Sequence, residues 1–154
     1  MRLTRFTDNA LRCLMHLGRN PDRVVTVGEV SRRMGMSDDH LIKVVKRLVD
    51  LGHVRTLRGR TGGLKLNRLA SEIVVADVVR ATEDNLAIVP CLQPGDESCP
   101  LRDNCDLAGT FEEALGAFFG VLQKKTLADL VEETGGGSTE AGTRRQEAGK
   151  ERNG

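Results

Sequence analysis

The sequence predicts a mainly α fold with one small β-hairpin: a winged helix-turn-helix followed by a long dimerisation helix. Three observations predict it. The periodic segments run helix, short helix, tight turn, longer helix and then a period-two hairpin. Glycines stand where that order needs helix stops and a flexible hairpin tip. The charge is lopsided: residues 1–68 carry 15 Lys and Arg against 6 Asp and Glu, and residues 69–154 carry 8 against 16, although the 154-residue chain is nearly neutral at +1. A strongly basic half beside an acidic one is the pattern of a module that meets a polyanion.

Each element has its own local cause. Residues 4–18 place Phe6, Ala10, Leu11, Leu14 and Leu17 on one helical face. Thr26-Val27-Gly28-Glu29 reads as a capping box, with Val27, Val30 and Met34 turned inward behind it and Gly35 as the stop. Ser37 caps the next helix, and Asp38 and Asp39 in its first turn suit the helix dipole. Leu41, Val44, Val45, Leu48 and Leu51 form its buried stripe, and Gly52 ends it. Val54, Thr56 and Leu57 then alternate, followed by Arg58-Gly59-Arg60-Thr61-Gly62-Gly63 and Leu64-Lys65-Leu66, which predicts a hairpin with a Gly-rich tip.

The chain therefore divides into a winged helix-turn-helix at 1–68, with the helix-turn-helix at about 26–51 and the wing at about 54–67. A connecting helix over 70–85, burying Ile73, Val75, Val78 and Val79, and a cysteine-bearing loop fill 69–108. Residues 109–133 predict the dimerisation helix, with Phe111, Leu115, Phe118 and Leu122 as an apolar seam and Leu127, Leu130 and Val131 beyond a break. Residues 134–154 hold only Ala141 and Ala148 among polar residues and glycines, a composition that predicts a disordered tail.

Composition narrows the polyanion. With no Trp or Tyr and four Phe, the chain lacks the aromatic platforms that bind single strands or RNA by stacking, which leaves duplex DNA. The second helix of a helix-turn-helix enters the major groove. The predicted DNA-contacting residues are Ser37, His40, Lys43, Lys46 and Arg47 on and before that helix, and Arg58 and Arg60 on the wing tip. No run of eighteen apolar residues offers a membrane span and no apolar leader follows Met1, so the expected place is the cytoplasm.

Cys13 falls within the first helix and reads as a small buried hydrophobe. Cys91, Cys99 and Cys105 are spaced by seven and five residues on a loop rich in Pro and Gly. Three clustered thiols in a reducing compartment point to an iron–sulfur cluster, a zinc ion or metal-free thiol chemistry, and the intervals do not match the close spacing of structural zinc. A cluster takes four protein ligands as a rule; the loop supplies three and contains no His, so a fourth would come from elsewhere in the chain, from a partner subunit or from solvent.

Over residues 1–133 the chain resembles the Rrf-type winged-helix regulators, and most of all their nitric-oxide-sensing iron–sulfur repressors. The resemblance is carried by Met1-Arg2-Leu3-Thr4-Arg5-Phe6-Thr7-Asp8, by Met36-Ser37-Asp38-Asp39-His40-Leu41-Ile42-Lys43-Val44 and by Arg58-Gly59-Arg60-Thr61-Gly62-Gly63-Leu64. The three cysteines and Thr126-Leu127-Ala128-Asp129-Leu130-Val131 complete it. It implies a homodimer whose Cys91, Cys99 and Cys105 bind an iron–sulfur cluster, 4Fe-4S or 2Fe-2S, with Asp8 from the other subunit as fourth ligand. Iron-sensing relatives place a His shortly after the third cysteine, whereas Asp106, Leu107 and Ala108 follow Cys105 here. A carboxylate is a harder and weaker partner for iron than thiolate, so the iron it holds is the one most open to a small ligand such as nitric oxide.

The function expected is a transcriptional repressor that leaves an inverted-repeat operator when nitric oxide damages its cluster. An iron- or redox-sensing repressor is the rival of the same class, and an iron–sulfur electron-transfer module the rival of another. A cluster-free winged helix binding a metabolite is a further alternative. No nucleotide fingerprint or nucleophile–base pair marks the chain as an enzyme.

Overall fold

The computed structural model of the chain describes residues 2–101 and 105–132. Met1, residues 102–104 and the tail from 133 onward, including the segment expected to be disordered, lie outside the described residues.

Helix α1 spans Arg5–Gly18, α2 Val27–Met34 and α3 Asp38–Asp50, and the hairpin strands are β1, Val54–Leu57, and β2, Gly63–Leu66. Each helix start is held by the side chain that the sequence offers: Thr4, Thr26 and Ser37 accept from the backbone N–H groups of Thr7, Glu29 and His40. The strands pair antiparallel with Val54 opposite Leu66 and Leu57 opposite Gly63. On its other edge β2 forms a single bridge with Val25, whose N–H donates to Leu64 O at 3.0 Å and whose carbonyl accepts from Leu64 N at 2.7 Å. This close approach explains Gly63, where a Cβ would stand 2.5 Å from the Val25 carbonyl oxygen. Gly35, at φ 64°, makes the left-handed stop between α2 and α3.

One core joins these elements. Ala10, Leu14 and Leu17 of α1 meet Val30 of α2, Leu41, Val44 and Leu48 of α3 and Val54 and Leu64 of the wing, all at most 2% exposed. Truncating any of these leucines to Ala would cost about 2–5 kcal/mol. Cys13 lies in this core at 0% exposure, and burial pushes its thiol up to about 12.

Beyond the wing the structure departs from the expected single helix over 70–85. A 3-10 turn at Ala70–Glu72 precedes a shorter helix α4, Val75–Thr82. The β-branched run Ile73-Val74-Val75 enters extended and pairs with residues 125–127: Val75 N donates to Lys125 O at 2.9 Å and Leu127 N to Ile73 O at 2.8 Å. Those bonds compete with helix continuation.

The same bonds divide the C-terminal helix. Helix α5 spans Asp106–Gln123, and a separate α6, Leu127–Glu132, turns back onto α1, with Leu127 2% exposed in the main core. Asp129 accepts from the N–H and hydroxyl of Thr126 and holds α6 at its start, and these bonds hold its carboxyl below its ordinary pKa. A second, smaller core forms where Phe119 of α5, 7% exposed, packs on Val75, Ala76 and Val79 of α4, with Leu115, Phe118 and Leu122 around it. The apolar seam expected to face a partner is thus largely spent on α4. None of the described helices is long and apolar enough to cross a membrane.

Candidate functional site

Helix α3 is held at a fixed angle to α2 by a short turn and two side chains. Ser31 donates its hydroxyl to Asp38 Oδ1, and Met36 N donates to Ser31 O at 3.1 Å. The outward face of α3 exposes Asp39, Ile42, Lys43 and Lys46, and the wing tip exposes Arg58 and Arg60 on either side of Gly59 at φ 105°. Ser37 is exposed at the start of α3, where its oxygen is engaged as the helix cap.

Two of the residues expected on the DNA-facing surface are placed differently. His40 turns its ring against Phe6 of α1 in an edge-on contact, centroids 6.4 Å apart, and its buried Nε2 has no hydrogen-bond partner. Arg47 reaches sideways, and its Nε and a terminal nitrogen both donate to the Ala81 carbonyl at 3.1 and 2.7 Å. That carbonyl is near the C-terminal end of α4, where a cation is favoured by the helix dipole.

The cysteines meet at one place. Cys91 sits in a 3-10 turn, Pro90–Leu92, Cys99 in the loop after it, and Cys105 immediately before α5. All three are free and half-buried. They line one pocket of about 400 Å3 together with Leu92, Gln93, Pro94, Ala108 and Glu112. Cys105 takes the N-cap position of the 18-residue helix α5. Among the described residues, no three His, Cys, Asp or Glu side chains converge closely enough to grip a metal ion as they stand. Asp8 is outside this pocket wall within its own chain; it is about half exposed on the first turn of α1 and pairs with Arg12 at 3.0 Å.

The segment that leads into the cysteine loop is tied to the basic half at two points. Arg47 of α3 holds Ala81, and two residues later the Glu83 carboxylate accepts from the Thr4 N–H and hydroxyl at the cap of α1. These bonds join the start of the loop to the helices that carry Asp8 and Lys43.

A family model described as Rrf2, iron-dependent transcriptional regulator, matches residues 3–133. The chain belongs to the Rrf2 family. It is a transcriptional regulator and not an enzyme. Among similar proteins is Protein aau3 of Rhizobium meliloti (strain 1021), 44% identical over 131 residues that cover 85% of each chain. The HTH-type transcriptional regulators NsrR of Geobacillus kaustophilus and Bacillus subtilis are 40% and 39% identical, over 86% and 85% of this chain and 91% and 90% of theirs. Solved structures share the fold: the oxidised form of Staphylococcus aureus CymR superposes with a TM-score of 0.70 at 23% identity, covering 86% of this chain and 97% of that one. T. potens IscR gives 0.71 at 20% identity over 92% and 94%.

In this Rrf2 regulator, sequence reasoning passed over Ile42, Glu83 and Glu112. Ile42 had a visible signal, since it falls outside the buried stripe of its helix. Glu83 and Glu112 had none, because only tertiary folding brings them to Thr4 and to the thiols.

Proposed function

We propose that this Rrf2 regulator is a homodimeric repressor. It holds an inverted-repeat operator while an iron–sulfur cluster, 4Fe-4S or 2Fe-2S, is bound at the cysteine pocket, and it lets go when nitric oxide modifies that cluster. One observation carries the reading: three free thiols drawn from a turn, a loop and a helix start line a single pocket. Soft sulfur donors fit a thiophilic metal group, and no disulfide engages these three cysteines.

Cys91, Cys99 and Cys105 would hold the cluster, with Asp8 of the partner subunit as the fourth donor. When bound, the cluster supplies iron that nitric oxide can attack. Helix α3 lies in the major groove, where Lys43 and Lys46 meet the duplex, and Arg58 and Arg60 on the wing take phosphates or the minor groove. Arg47 and Glu83 pass a change at the loop to α3 and α1. Such a regulator responds only by the difference between its two states, and a donor bond from α1 present in one of them supplies that difference.

A second copy finds a surface on α5. Leu107 and Val121 are 60% and 64% exposed, and Ala114 and Ala117 are exposed at helical spacing between them. Two-fold symmetry of the dimer then sets half-sites about one helical turn, or a multiple, apart.

Anaerobic purification with iron and sulfide analysis tests the reading. Replacing Cys91, Cys99 or Cys105 by Ala is expected to abolish the visible absorbance, and an unchanged iron content would overturn it. The family's description as iron-dependent supports a second reading, in which iron supply is the signal. Exposing the operator-bound protein to nitric oxide or to an iron chelator separates the two by which one releases DNA.

A further inference from the structure

Helix α3 carries an apolar side chain on the face it keeps clear of the core. Ile42 is 53% exposed, while Leu41, Val44, Val45 and Leu48 of the same helix are at most 6% exposed and fill the core face. It packs into neither core cluster. Lys43 follows it, and Lys46, one turn on, is its neighbour along the helix surface. A lone exposed isoleucine elsewhere would call for no explanation. Here it shares the outward face of the helix assigned to the major groove with Lys43 and Lys46 on its C-terminal side and Asp38 and Asp39 one turn before it.

The floor of the major groove is polar at every edge but one: the 5-methyl group of thymine is its apolar feature. A branched aliphatic side chain can neither donate nor accept a hydrogen bond, so it gains nothing at the edges of guanine, cytosine or adenine and leaves their polar atoms unpaired. Against a thymine methyl it buries apolar surface on both sides, while Lys43 and Lys46 after it on the helix meet the phosphates nearby. We infer that Ile42 is a specificity-determining residue that packs on the methyl group of a thymine in each operator half-site. This rests on the proposed operator binding through α3, and it adds to that reading a chemical group that the operator must present.

The test begins with duplexes enriched from a random pool by the full-length, anaerobically purified protein. Each thymine of the enriched sequence is then replaced by uracil, which removes the methyl and keeps every hydrogen-bonding atom. One thymine per half-site is expected to weaken binding about fourfold when replaced, the transfer value of one buried methyl group. Ile42→Ala should bind the thymine and uracil duplexes equally, and Lys43→Ala should keep the preference while losing affinity for both. Ile42 is exposed, so the variant should retain its fold, and circular dichroism with a melting curve checks that. The inference falls if no thymine position responds to loss of its methyl, or if Ile42→Ala still discriminates. If no sequence is enriched at all, the operator reading beneath it falls as well.

Discussion

The Glu83 carboxylate accepts two hydrogen bonds from Thr4, one from its backbone N–H at 2.7 Å and one from its hydroxyl at 3.1 Å, across 79 positions of sequence. Thr4 is also the cap of α1, its Oγ1 accepting from Thr7 N at 3.2 Å. One carboxylate therefore ties the entry to the cysteine loop to the helix that bears Asp8. Glu83→Ala is expected to lower stability in urea by about 1 kcal/mol, the scale of a cap or a charge-assisted bond at an exposed site. It should also narrow the difference in operator affinity between cluster-loaded and cluster-free protein, while iron content stays unchanged.

Arg47 and the wing arginines should separate in a salt titration. Arg58 and Arg60 are exposed on the tip, and loss of each phosphate contact flattens the slope of log K against log salt by about one unit. Arg47 is bound to Ala81 O, so Arg47→Ala should leave that slope near the wild-type value and act on stability instead. Equal flattening by all three substitutions would contradict the placement of Arg47.

Asp8 pairs with Arg12 on an exposed turn, an interaction worth well under 1 kcal/mol. Asp8→Ala and Arg12→Ala should therefore melt close to wild type. If Asp8 is a ligand, only the first lowers the iron content or changes the visible spectrum. Matching spectra for both variants would remove Asp8 from the donor set.

Glu29 illustrates a pH dependence with a known sign. The hydrogen bond from Arg23, with a further one from His16, holds its carboxyl at about 2, against an ordinary 4.5. The folded chain binds this proton less readily than the unfolded chain, so the contribution is present above pH 4.5 and is lost as pH falls toward 2. Melting of wild type against Glu29→Gln should show a gap that is constant near neutrality and closes in acid. A gap that widens in acid would reverse the assignment.

Glu29 also shows where sequence reading stops. Thr26 caps α2 as its spacing predicts, yet the Glu29 side chain does not reach back to complete a capping box; Arg23 and His16 claim it. His40 and Arg47 follow the same rule. Helical spacing puts both outside the core stripe of α3, and Phe6 and Ala81, distant in sequence, decide what each one touches.

By itself the sequence determined the starts of α1, α2 and α3, the wing with its Gly-rich tip, the basic half and the grouping of three thiols in one loop. These follow from interactions within a turn or two of chain, where residue type and spacing suffice. Tertiary structure alone decided that Ile73 to Val75 pair with residues 125–127, that α6 returns to α1, and that Glu83 reaches Thr4. The physical reason is competition: a backbone amide or a side-chain oxygen has several partners of similar strength, and the one it takes is set by which distant segment packing brings within 3 Å.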